Sequence, residues 1–240
     1  MKRVHLEVFS FVLLLAGACL LLSFPFQAKS ASLSQIGQAA GRKYCVVLDA
    51  GHGGEDGGAA GVSGIAEKDL NLRITMLLGE MLEANGIEVV YTRTTDTLLY
   101  DRTVDYHGRK KALDLAARRE IAENTPNCIF ISIHMNSYPI EKYAGQQVWY
   151  SPNHPLSQSL AAAIREANHA LLQPENTRTN KQAGSSIYLL HRLEIPSVLI
   201  ECGFLSNESE CLKLADEKYQ KDLAFVLFLA ISQWLSCNTL

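Results

Sequence analysis

The chain has 240 residues, of which 48% are hydrophobic and 20% charged, enough for one ample globular domain and too few for two comfortable ones. Its formal net charge of -3 gives no general pull toward a polyanion, and no basic stripe with interleaved aromatics stands out, so no nucleic-acid partner is expected. Internal repeats and low-complexity tracts are not apparent.

Lys2 and Arg3 precede an almost uncharged apolar run from Val8 to Phe26, long for a signal peptide and just long enough to span a bilayer. Positive charge at the start places the N-terminus inside and the rest of the chain outside the cytoplasmic membrane. Residues 1–30 therefore read as a signal peptide or an N-terminal membrane anchor, and the small residues Ala28, Ser30 and Ala31 leave both open. Residues 31–42 follow as a polar linker, and 43–240 as one folded domain. Of the six cysteines, Cys19 goes with the leader and the other five cannot all pair. Cys45, Cys128 and Cys202 lie in or beside apolar runs, where a reduced cysteine behaves as a small hydrophobe. Neither a disulfide framework nor a catalytic thiol is expected.

The first strand is expected over Lys43–Leu48. It runs into Asp49, Gly51 and His52 and then a loop with seven glycines between Gly51 and Gly64, which lets the backbone pass close to something else. A phosphate cradle is disfavoured, because neither a G-K-[ST] ending nor a G-x-G-x-x-G at a helix start is present; a structural turn with a stray histidine is the other bland reading. From Lys68 to Asn85 apolar residues recur at helical spacing, ended by Asn85-Gly86, and Ile87–Thr92 reads as a second strand. This β-loop-α-β order is the unit of a parallel sheet.

Thr92–Lys111 is polar and aperiodic and reads as an exposed loop near the sheet edge. Lys111–Asn124 is helical, with Arg118 and Arg119 among its apolar positions, and Cys128–Asn136 is a buried strand that delivers a second histidine, His134. Gln146–Tyr150 is a further strand and Pro155–Leu172 a helix. Gln173–Ser185 is loop-like, with Arg178 and Lys181 as possible contacts for an anionic ligand or, as the favoured explanation, solvated surface. Ile187–Leu190 and Ser197–Ile200 read as two more strands, the second leading into Glu201, and Ser209–Leu235 supplies helical cover. The fold class is α/β, a single three-layer domain with a twisted, mostly parallel sheet of about six strands flanked by helices.

His52, Glu67, His134 and Glu201 each sit at or just beyond a strand end or at the helix start that follows, and in a parallel sheet such positions converge on one edge. Two imidazoles and a carboxylate form the ligand set of a hydrolytic zinc site with a position left for water. Amide hydrolysis also needs a group to take a proton from water and give one to the leaving amine. Glu201 is the candidate, because a glutamate at the end of an apolar strand is costly to bury without a purpose; pairing with a buried arginine is the alternative. Asn136, two residues past His134, is placed to hydrogen-bond substrate near the metal, though a strand-end turn explains it equally well.

D-A-G-H-G-G-E-D-G-G from Asp49, E-K-D from Glu67, T-R-T-T-D-T from Thr92, I-S-I-H-M-N-S from Ile131 and I-E-C-G-F-L-S-N from Ile200 together resemble the zinc-dependent N-acetylmuramoyl-L-alanine amidases of bacterial cell walls. The resemblance covers Lys43 to Trp234. It implies zinc bound by His52, Glu67 and His134, Glu201 as catalytic acid/base, and peptidoglycan as substrate. It also implies a twisted sheet of about six strands flanked by helices. The stretch Leu99–Lys111, the E-N-T-R at Glu175–Arg178 and the single N-terminal apolar segment make the chain most similar to the branch that acts in spore cortex maturation and germination. There a separate deacetylase completes the conversion of bared muramic acid to muramic δ-lactam. One departure is Ala50, where the family usually has proline. A zinc carboxypeptidase or deacetylase can use the same ligand set, and a wall-binding protein can keep the fold without catalysis; both stay as alternatives.

Overall fold

Two apolar runs make the centre of the fold. β1 (Cys45–Ala50) is buried along its whole length and β3 (Cys128–Asn136) along most of it, as strands covered on both faces must be. They pair in parallel, with Cys45 opposite Cys128 and Ala50 opposite Ile133. The computed structural model describes residues 44–238 apart from 102 and 104–106, so the leader expected over 1–30 and the linker over 31–42 lie outside the described residues. No helix among the described residues is long and apolar enough to cross a membrane.

The sheet has six strands in the order β2-β1-β3-β6-β4-β5. β2 (Glu88–Tyr91) flanks β1 in parallel, and β6 (Ser197–Phe204) flanks β3 in parallel. β4 (Gln147–Tyr150) runs antiparallel to β6, and β5 (Lys181–Gln182) closes the edge beyond it. Among the described residues there are six α-helices: α1 (Glu67–Ala84), α2 (Lys110–Asn124), α3 (Leu156–Leu171), α4 (Tyr188–Arg192), α5 (Glu208–Ala215) and α6 (Glu217–Cys237). α5 and α6 are separate because Asp216 intervenes as an N-cap, its carboxylate accepting from the Tyr219 amide at 2.8 Å.

Alternation along the strands sorts side chains onto two faces. Val46, Leu48, Ile129, Ile131, Ile133 and Ile200 join the larger core beneath α1, α3, α5 and α6. Cys45, Val47, Cys128, Phe130 and Leu199 join a smaller core beneath α2 and α4. The same alternation carries Asp49, Ser132, His134 and Glu201 onto the smaller-core face, toward the carboxyl ends of β1, β3 and β6.

Three expectations are corrected. Ile187–Leu190 is not a strand: Tyr188–Arg192 forms the short helix α4, whose Leu189 and Leu190 fill the smaller core. A short apolar run has too few residues for its period to separate strand from helix. The sixth strand is instead the polar pair Lys181–Gln182, within a stretch expected to be loop. The segment Thr92–Lys111 also begins inside the protein, since Thr92, Arg93 and Leu98 are buried.

Arg118 explains why. It is 1% exposed, and its guanidinium meets Asp49 Oδ1 at 2.7 Å and Asp114 Oδ2 at 2.7 Å while donating to the carbonyls of Ala50 and His52, each at 2.7 Å. Asp49 also accepts from Thr92 Oγ1 at 2.7 Å and Ser132 Oγ at 2.6 Å. Burial pushes the Asp49 carboxyl up, but the Arg118 charge and these hydroxyls overcome it and hold it below its ordinary value. The stability this contributes is present above the unfolded pKa of about 4 and is lost as pH falls through the lower folded value. Replacing Arg118 with methionine strands two buried carboxylates, and urea unfolding is expected to show a loss of about 3–5 kcal/mol. Arg119→Met, which removes a surface ion pair with Glu123, is expected to leave the midpoint close to that of the unaltered chain.

Candidate metal centre

His52 lies two residues past β1 with φ +62°, a left-handed conformation that costs an L-residue about 1–2 kcal/mol. Two guanidiniums hold the chain there. Arg118 takes the Ala50 and His52 carbonyls, and Arg93 donates to Ala50 O at 2.8 Å, to Gly51 O at 3.1 Å and to Lys68 O at 2.8 Å. Glycine is needed at 51 for space, since an added Cβ would lie 2.1 Å from His134 Nε2. Gly58 combines φ +69° with a Cβ position 2.5 Å from Glu67 Oε2. The glycine-rich loop thus passes close to both His134 and Glu67. Ala50, where proline was the family expectation, lies fully buried within β1.

Glu67 opens α1, where the helix dipole favours a carboxylate. Its Oε1 is 2.9 Å from His134 Nδ1 and 3.3 Å from His52 Nε2, and accepts from the Met135 amide at 3.0 Å. Its Oε2 accepts from the Ala59 amide at 2.8 Å. Burial alone would raise the Glu67 pKa, but the hydrogen bonds and charges of the two imidazoles hold it well below the usual carboxylate range. One turn along α1, Asn71 donates to Gly51 O at 3.0 Å and to Glu67 Oε1 at 3.4 Å, tying the helix start to the loop. The rings of His52 and His134 stand edge to face with centroids 4.9 Å apart. Ligand atoms of His52, Glu67 and His134 all lie within 4.8 Å of one another, so this trio could hold a metal ion.

Glu201 lies inside β6, with Cys202, Gly203 and Phe204 following it in the strand, and is the cross-strand neighbour of His134. Among the described residues no arginine pairs with it, and its Oε2 is buried without a hydrogen-bond partner. Burial first, and the Glu67 charge further, push its pKa up to about 7 against the opposing pull of the imidazoles. A carboxyl poised near neutrality beside a cluster of donor atoms can both take and give a proton. Just beyond it the register of β6 slips against β3, so that Asn136 faces Phe204. Asn136 ends β3, and its carbonyl accepts from the Leu205 amide at 2.8 Å.

Arg178 is partly buried and tied to its neighbours. It donates to Ala144 O at 2.8 Å and to Gln147 Oε1 at 3.4 Å, and its guanidinium carbon lies 4.4 Å from the Phe204 ring centroid. Lys181 remains exposed with its ammonium 5.2 Å from the Trp149 ring. The supporting residues Asp49, Asn71, Arg93 and Arg118 escaped the sequence reading, which singled out residues able to do chemistry. The available signals were Arg118 placed among the apolar positions of its helix and the T-R that follows β2.

Residues 46–233 match the family described as N-acetylmuramoyl-L-alanine amidase. The chain is 34% identical over 191 residues to the germination-specific N-acetylmuramoyl-L-alanine amidase of Bacillus subtilis, covering 80% of this chain and 79% of that protein. Its fold is similar to that of the CwlD amidase from Clostridioides difficile, solved in complex with the GerS lipoprotein, with TM-score 0.76 and 40% identity over 81% of this chain and 99% of that one. It is also similar to the amidase AmiC2 of Nostoc punctiforme, with TM-score 0.68 and 29% identity over 81% and 98% of the two chains.

Gly51→Ala tests the crowding directly. The added methyl must displace the His134 ring, so the ring resonances of His134 should move, with a loss of about 1–3 kcal/mol in unfolding free energy. Gly57→Ala in the same loop, where an added Cβ meets nothing within 4 Å, should change neither.

Proposed function

We propose a chemistry and a setting for this chain from one premise: it belongs to the N-acetylmuramoyl-L-alanine amidase family. The reaction is hydrolysis of the amide joining the lactyl group of N-acetylmuramic acid to the L-alanine of the peptidoglycan stem peptide. The observation that carries the site assignment is Glu201, a buried carboxylate with an unpartnered oxygen, set beside His134 and within the field of Glu67 and His52.

The donor set suits zinc, since two imidazoles and one carboxylate leave a position open for water or substrate. His52, Glu67 and His134 would hold the ion, which when bound polarises the scissile carbonyl and acidifies water. Around it the chain supplies the rest. The Met135 and Ala59 amides and Asn71 fix the Glu67 carboxylate, and Gly51 leaves room for the His134 ring. Glu201 takes a proton from the attacking water as the new C–O bond forms. It then delivers that proton to the alanine nitrogen as the C–N bond breaks, leaving a lactyl carboxylate and a free amino group. Asn136, at the end of β3 beyond His134, is placed to hydrogen-bond the substrate.

Residues 1–30 serve as signal peptide or membrane anchor and 31–42 as linker, which puts the catalytic domain of residues 43–240 outside the cytoplasmic membrane, facing wall or cortex. The likeness to a germination-specific relative supports a role in spore cortex maturation, with a peptidoglycan deacetylase acting in sequence to give muramic δ-lactam.

Mass spectrometry of products from purified muropeptides tests the reaction: release of intact stem peptides bearing a free L-alanine amino group is expected. Loss of only a terminal amino acid, or of acetate, would point to a carboxypeptidase or a deacetylase instead. Separately, His52→Ala and His134→Ala should lose zinc and turnover together. Glu201→Gln should keep its zinc while hydrolysis falls by about a hundredfold or more. If Glu201→Gln lost zinc as the histidine variants do, Glu201 would be a ligand rather than the proton carrier.

A further inference from the structure

We propose that Tyr138 and Tyr143, with Phe204 behind them, form an aromatic platform that holds the sugars of the glycan strand next to the one being cut free of its peptide. This inference rests on the amidase reading above and adds a subsite that reading leaves out, one for the polymer rather than for the scissile amide.

The loop that leaves β3 after His134 exposes more apolar surface than a short connection needs. Tyr138 is 49% exposed, Ile140 44% and Tyr143 36%. On a globular domain, large hydrophobics gathered in one patch mark a binding surface. The rings are ordered against one another. Tyr138 and Tyr143 stand edge to face with centroids 5.1 Å apart, and the Tyr143 ring lies 6.3 Å from that of Phe204 at a tilt of 30°. Phe204 ends β6, about 10 Å along the strand beyond Glu201. Arg178 ties the row to the neighbourhood of Glu201. Its guanidinium carbon lies 4.4 Å from the Phe204 ring centroid, and it donates at 3.4 Å to Oε1 of Gln147, the residue directly opposite Glu201 on β4.

The loop is fastened along its length. The Tyr138 amide donates to Ser206 Oγ at 3.0 Å, and Asn207 Nδ2 to Glu141 O at 2.8 Å. The buried Glu210 carboxylate accepts from the Gly145 amide at 2.8 Å and from the Phe204 amide at 2.7 Å, so the far end of the loop and the innermost ring share one clamp. Rings fixed by the fold lower the ordering cost of binding. A pyranose presents a face of C–H groups that packs on an aromatic ring, with hydroxyls around its edge. Lys142, whose ammonium lies 5.8 Å from the Tyr143 ring centroid, is a donor for such hydroxyls. Only three single bonds, about 4 Å, separate the scissile carbonyl from its own sugar ring. A row that starts about 10 Å from Glu201 therefore meets the next sugars of the strand. A few side chains are too small a surface for a stable protein interface, which takes roughly 20–30 residues a side, yet enough for one or two sugar rings.

The experiment uses the full chain with Tyr138→Ala, Tyr143→Ala and the ring-keeping Tyr138→Phe and Tyr143→Phe. Phe225→Ala, which removes an equally exposed ring on α6, is the comparison. Binding to peptide-free glycan strands is read by titration. Turnover is read on polymeric peptidoglycan and on a single N-acetylmuramoyl-peptide without neighbouring sugars. Each alanine variant should bind the glycan strands about threefold to tenfold more weakly and raise KM on the polymer by the same factor, and the rise should vanish on the single-sugar substrate. The phenylalanine variants should restore both values, and Phe225→Ala should change neither. Tyr138→Ala, which removes the more exposed ring, carries the test if Tyr143→Ala does not fold. Glycan binding within twofold of the unaltered chain in both alanine variants, or an equal rise in KM on both substrates, overturns the platform. So does a loss of affinity for free stem peptide in place of glycan. An unaltered chain that binds glycan strands through these rings yet cleaves no muramoyl amide overturns the amidase reading and leaves the platform standing.

Discussion

The interaction on which the site depends is the buried encounter of Arg118 with Asp49 and Asp114. A guanidinium taken out of water is costly unless every donor finds a partner. Here the donors are shared between two carboxylates and the carbonyls of Ala50 and His52. Those carbonyls belong to the residues where the chain leaves β1 and turns into a left-handed conformation at His52. One helix side chain thereby ties α2 to the end of β1 and fixes the direction in which the first imidazole projects. Arg93, just past β2, does the same, capturing the carbonyls of Ala50, Gly51 and Lys68. The centre is held by its backbone as much as by its side chains.

That division explains what was legible in the sequence. Strand β3 was readable to its bounds because nine residues of apolar run leave little freedom, and α1 and α3 because their apolar spacing is regular over many turns. The convergence of His52, Glu67, His134 and Glu201 was readable because parallel strands bring residues distant in sequence to one edge. What could not be read depended on tertiary context. α4 is a five-residue helix whose conformation is decided by the space that Leu189 and Leu190 fill in the smaller core, and β5 is a polar pair whose only strand-like property is its neighbour β4. Arg118 looked like one charge on an amphipathic helix, and nothing local shows that its partner is an aspartate on a strand far earlier in the chain.

The two faces of the sheet are unequal, and the inequality makes the opening. The face toward α1, α3 and α6 carries the larger core, including Trp234, whose indole donates to Ser159 Oγ at 3.0 Å to join α6 to α3. On the other face, among the described residues, α2 and the short α4 supply the helical cover. Polar residues at 49, 132, 134 and 201 replace the apolar series as it nears the carboxyl ends. Glu67 then arrives from a helix of the opposite layer, so the donor trio is assembled across the rim of the sheet.

The order of strands has a consequence for how such an enzyme comes into being. β6 is the last strand along the chain, yet it sits between β3 and β4, and β4 has no other partner than β6 and β5. A chain threaded outward from its N-terminus can bring β1, β2 and β3 together early, but half of the sheet has nowhere to dock until residues near 200 emerge. Such late, non-local pairing is slow to form. The same strand carries Glu201, so a truncated chain lacks both a finished sheet and that buried carboxylate. For a hydrolase of the N-acetylmuramoyl-L-alanine amidase family, the topology works as a timer: the strand that carries Glu201 is the last to be set.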